Sequence, residues 1–87
     1  MHRYWIEFDF TEHSDRPPGT SLGCGVTAED RSSALAMVER RVFKGSMPGV
    51  TRVLEDVTVD DLESRHVRPN IGNPALRGIW FPVGYEA

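Results

Sequence analysis

The residues from Tyr4 to Phe10 constrain this chain most. Tyr4, Ile6, Phe8 and Phe10 fall on one side of a strict alternation, and Trp5, Glu7 and Asp9 fall on the other. A repeat of two belongs to a strand, because successive side chains leave opposite faces of the backbone. Aromatic and β-branched residues on that repeat predict a strand with one buried and one wetter face, and so a sheet that some other element must cover.

The covering element is a helix predicted to begin at Thr27. Asp30 lies three residues on, which approximates a capping box. Glu29 and Asp30 suit the positive end of the helix dipole, while Arg40, Arg41 and Lys44 suit the negative end. Ala34, Leu35, Val38 and Val42 form one apolar stripe, Gly45 supplies a stop, and Pro48 bars continuation. Before the helix, residues 11–21 read as a loop stiffened by Pro17 and Pro18. A second strand follows, with Leu22, Cys24 and Val26 inward. Gly23 and Gly25 alternate with them, which weakens a strand unless something must approach its backbone.

Residues 50–59 read as a third strand, with a bulge expected at Val53 and Leu54. Residues 60–65 suit a short helical turn with Asp60 as its cap. Ile79, Phe81 and Val83 alternate around Trp80 in a fourth strand, which Pro82 places at a sheet edge. The order ββαβ(turn)β predicts an α+β two-layer sandwich, with one helix on a mainly antiparallel four-stranded sheet. A right-handed crossover sets the third strand parallel to the second, giving the order 2-1-3-4. The alternative is a β-grasp, with the last strand parallel beside the first. One helix covers one face only, so Trp5 and Trp80 on the other face await solvent, the C-terminal segment or another subunit.

A chain of 87 residues buries roughly 60–65% of its unfolded surface, which suits one domain. Its apolar runs fall far short of the ~20 residues that span a bilayer, and the N-terminus lacks the apolar stretch of a signal peptide. Cys24 is the sole cysteine and rules out an intrachain disulfide. These features favour a cytoplasmic protein. A net charge of −3 argues against nucleic acid as a partner.

Cys24 and His66 are the candidates for catalysis. Cys24 could act as a nucleophile with His13 or His66 as its base, although its strand parity places it on the buried face. The spacing of His2, His13 and His66 calls for no metal, and no motif calls for a cofactor. Trp5 between Glu7 and Asp9 suits contact with a basic partner, since aromatics anchor interfaces and charges steer them. The irregular run from His66 to Tyr85 carries turn chemistry at nearly every position. There Arg68, Asn70, Arg77 and Trp80 either converge on a ligand or satisfy each other and the backbone.

Taken together, YWIEFDF, GCGVTA and HVRPN-G-P--RG-WFP resemble a group of small uncharacterised bacterial proteins of actinobacterial type. The resemblance covers most of the chain. It implies a bacterial cytoplasmic setting and no particular activity. The residues themselves favour a non-enzymatic protein-interaction or accessory module, of immunity type for instance, with homodimerisation to bury the open sheet face. The alternative is a small-molecule-binding protein or minor enzyme with a pocket between the sheet edge and the C-terminal segment.

Overall fold

The computed structural model describes residues 1–11, 17 and 19–85. Four strands, β1 (His2–Asp9), β2 (Cys24–Ala28), β3 (Gly49–Glu55) and β4 (Gly78–Phe81), form one sheet, and helix α1 (Arg31–Arg41) lies between β2 and β3 in sequence. The sheet order is β3-β1-β2-β4, and every neighbouring pair is antiparallel. The α+β reading therefore holds. β2 and β3 run parallel with β1 between them, as the crossover requires. The fourth strand differs from expectation: it pairs with β2 instead of β3, and it does not lie beside β1 as a β-grasp demands.

Two apolar clusters sandwich the sheet. On the helix side Tyr4, Ile6, Cys24, Val26 and Ile79 pack against Ala34, Met37, Val38, Val42 and Phe43. Met37 is wholly buried, whereas Leu35, expected in the stripe, is only partly so. On the other side Trp5, Trp80 and Phe81 pack against Val57, Leu62 and Val67. Residues 56–77 thus form a strap across the second face, carrying two single 3-10 turns, Val59–Asp61 and Arg68–Asn70. The strap takes the place of the second helix that such a sheet would otherwise lack.

Several local expectations shift by a few residues. Asp30, not Thr27, caps α1: its backbone is extended, and its side chain accepts from the Ser33 N–H at 2.7 Å. Thr27 stays in β2, where a tertiary hydrogen bond holds its hydroxyl. β2 begins at Cys24, and Leu22 is exposed where it was expected inside. Gly23 causes this: its φ of +133° lies in the region that favours glycine and turns the chain before the strand begins. The β3 bulge sits at Thr51, because Glu7 pairs with Arg52 and Phe8 with Val50. Val53 and Leu54 alternate normally, Val53 toward the helix-side core and Leu54 away from it. The first turn of the strap is capped by Thr58, whose N–H and hydroxyl both reach Asp61, rather than by Asp60. β4 ends at Phe81, and Val83 beyond it is exposed.

Candidate functional site

The face opposite α1 carries the features that can recognise something. Trp5 leaves β1 on this side and is 7% exposed, so it is not the open aromatic that alternation alone implies. Gly23, just before β2, makes room for it, and Gly25 within β2 does the same for Trp80. A Cβ at Gly23 would stand 2.9 Å from Trp5 Cζ2, and one at Gly25 would stand 2.5 Å from Trp80 Cε3. The two indoles therefore lie over a strand with no side chains beneath them, 6.3 Å apart between ring centroids, with Phe81 5.5 Å from Trp5. Trp80 Nε1 donates to Thr27 Oγ1 at 3.1 Å, and that hydroxyl donates to the Pro74 carbonyl at 2.7 Å. This relay ties the end of the strap to the sheet and leaves no buried side-chain polar atom without a partner among the described residues.

Beside Trp5 a cavity of about 390 Å³ opens, lined by Trp5, Glu7, Leu22, Arg52, Leu54, Val57, Asp61, Leu62, Glu63 and Val67. The floor is apolar and the rim is charged. Glu7 accepts from Trp5 Nε1 at 3.0 Å and from Arg52 Nη2 at 3.2 Å, and Arg52 faces it directly across the β1 and β3 register. Asp61 is held below the usual carboxylate range by the Thr58 backbone N–H and hydroxyl. Glu63 is lowered by its hydrogen bond to His66 Nδ1 at 2.6 Å and by the His66 and Arg65 backbone N–H groups. Three carboxylates thus face one guanidinium on the rim. They belong to a local excess: between Glu55 and Glu63 stand five acids and no base. That run is visible in the sequence, but nothing in it says where the chain will fold back.

The other sequence candidates disperse. Asp9 lies near the far end of β1, where its carboxylate accepts from the Thr11 N–H and hydroxyl at 2.9 and 2.6 Å, and it does not line the cavity. Arg68 donates to the Leu62 and Asp60 carbonyls, Asn70 to the His66 carbonyl, and Arg77 pairs with Glu29. These groups hold the strap in shape. Cys24 is fully buried in the helix-side core, and desolvation pushes its thiol up to about 12. His66 is exposed on the opposite side of the sheet, and His13 lies outside the described residues.

A second cavity of about 430 Å³ lies between the end of β4 and the strap, lined by Gly19, Ser21, Leu22, His66, Asn70, Phe81, Pro82 and Val83. Separately, His2, Glu55 and Asp56 gather potential ligand atoms within 4.8 Å of one another at the surface. There His2 Nδ1 and Asp56 Oδ1 are 2.8 Å apart. No helix among the described residues is long and apolar enough to cross a membrane. The chain matches no family model, no curated protein and no solved structure.

Proposed function

We propose that this protein is a non-enzymatic interaction module that receives a basic side chain of a protein partner in the acid-rimmed cavity beside Trp5. The observation that carries this reading is the pairing of an apolar floor with a rim of three carboxylates to one guanidinium. A lysine or arginine side chain has the matching form, an aliphatic stem that packs on apolar surface and a cation at its tip. Asp61 and Glu63, both with lowered pKa, stay ionised at neutral pH and would meet that cation. The original patch of Trp5, Glu7 and Asp9 is thereby revised: Trp5 becomes a floor, Glu7 remains on the rim, and Asp9 drops out. A lone buried cysteine supports a reducing, cytoplasmic setting.

The test is titration of the isotopically labelled protein with short arginine-rich and glutamate-rich peptides, followed by amide and indole NMR shifts. Arginine peptides should move the Trp5 indole and residues around Leu62 in a salt-sensitive manner, and Glu7→Gln should weaken the effect while the spectrum elsewhere stays native. Equal response to both peptides, or shifts confined to other surfaces, overturns the reading. The second cavity supports one alternative, small-molecule binding between the sheet edge and the strap, because its volume falls in the range of ligand pockets. A ligand bound there would shift Asn70 and Phe81 and spare Glu7.

A further inference from the structure

The cavity beside Trp5 and the cavity at the end of β4 are two halves of one groove. Leu22 lines both of them. Trp5 on the floor of the first and Phe81 in the wall of the second lie with ring centroids 5.5 Å apart. Glu63 on the first rim and His66 on the second are joined at 2.6 Å between carboxylate and Nδ1. A shared side chain, a ring contact and a hydrogen bond thus span the boundary. Leu22 stands on it as a ridge, 43% exposed, and Val83 across the second half is 56% exposed. Two apolar side chains left open around one cavity mark surface available to a partner.

The two halves differ in chemistry, and the difference selects an occupant. In the first, Arg52 already engages Glu7, which leaves Asp61 and Glu63 as the negative charge that faces a guest. In the second, Leu22, Phe81, Pro82 and Val83 form an apolar wall, with His66 and Asn70 as polar members. An extended peptide presents residues i and i+2 on one face, about 6.5 Å apart, while adjacent residues point to opposite sides. That step is comparable to the one from Trp5 to Phe81. Resting on the cavity reading above, we infer that the groove holds an extended segment of a protein partner, with a lysine or arginine in the first half and an apolar side chain two positions away in the second. Charge complementarity sets the register, since the cation belongs beside Asp61 and Glu63 and the apolar residue beyond the Leu22 ridge. The second cavity is then the specificity pocket of a peptide site.

The test titrates the isotopically labelled protein with four capped peptides, Arg-Gly-Phe, Arg-Gly-Ser, Arg-Phe-Gly and Gly-Gly-Phe, followed by NMR. Arg-Gly-Phe should bind about tenfold more tightly than Arg-Gly-Ser, the gain of partly burying one phenylalanine. It should shift Asn70, Phe81 and Val83 together with Trp5 and Leu62. Arg-Phe-Gly, whose two side chains leave opposite faces, should bind no better than Arg-Gly-Ser. In Val83→Ser, checked for a native spectrum, the difference between Arg-Gly-Phe and Arg-Gly-Ser should narrow. Arg-Gly-Ser moving Trp5 with no gain from phenylalanine, or with equal gain from Arg-Phe-Gly, overturns the two-part groove and leaves the cavity reading standing. Failure of every arginine peptide to move Trp5 overturns both. Gly-Gly-Phe shifting Asn70 and Phe81 as strongly as Arg-Gly-Phe makes the second cavity an independent pocket, which also overturns the proposal.

Discussion

Replacing Gly25 by alanine has a sign that depends on one neighbouring ring. Gly25 has no backbone conformation reserved for glycine, so on an open strand the substitution would stabilise by about 0.4–1 kcal/mol through the unfolded chain. Here the new Cβ would stand 2.5 Å from Trp80 Cε3 and closer to the neighbouring ring atoms, so the indole must move. Overpacking of that kind costs about 1–3 kcal/mol. Displacing the ring also breaks the bond from Trp80 Nε1 to Thr27, worth about 0.5–1.5 kcal/mol. The net expectation is a destabilisation of about 2 kcal/mol, or a Tm lower by roughly 10 °C for a chain of this size. Urea unfolding followed by far-UV circular dichroism measures it without relying on the tryptophans. In a Trp80→Leu background the same substitution should cost much less or turn favourable. Gly49→Ala is the control, because nothing lies within 4 Å of a Cβ there, and it should stabilise by about 0.4–1 kcal/mol. A Gly25→Ala protein as stable as wild type, or an equal cost in both backgrounds, refutes the argument that β2 carries glycine to seat an indole.

Thr27→Val keeps the shape but removes the link between Trp80 Nε1 and the Pro74 carbonyl, and denaturant unfolding should register a loss of about 1–3 kcal/mol. Asp30→Ala removes the cap of α1 and should cost about 0.5–2 kcal/mol in the same assay. Cys24, buried and with its thiol raised to about 12, should react with a thiol reagent only at the rate of unfolding, and fast labelling of the folded protein would contradict its placement. Asp9, Glu29, Asp61 and Glu63 all have folded-state pKa values below their ordinary ones. Their stabilisation is therefore present above the ordinary carboxylate range and is lost as pH falls through the lowered values. Tm should hold steady down to about pH 5 and fall below about pH 4, and a main transition at higher pH would refute this.

The legible parts of this fold are those whose periodicity is local. Alternation from Tyr4 to Phe10 identified β1 and its two faces, and the single apolar stripe identified α1. Thr27 misled because its hydroxyl has two possible uses, a helix cap and a tertiary hydrogen bond, and only the folded chain shows which one prevails. The pairing of β4 with β2 depends on where the strap crosses, and no local pattern reports that. The cavity was hidden for a related reason. Its apolar anchors Val57, Leu62 and Val67 recur every five residues, a spacing that matches neither strand nor helix. The acids around them were plain to see, but Leu62 and Glu63 become wall and rim only once the strap lies against Trp5.

The strap has a further consequence for how this protein can move. Residues 56–77 leave from β3 at one edge of the sheet and return into β4 at the other. A segment fastened at both margins cannot swing aside as a lid on one hinge does. It can only arch, like a bridge lifted at midspan, and arching would separate Val57, Leu62 and Val67 from Trp5 together. Entry of a guest beneath it is therefore a collective event whose amplitude is bounded by the length of the span between two fixed abutments.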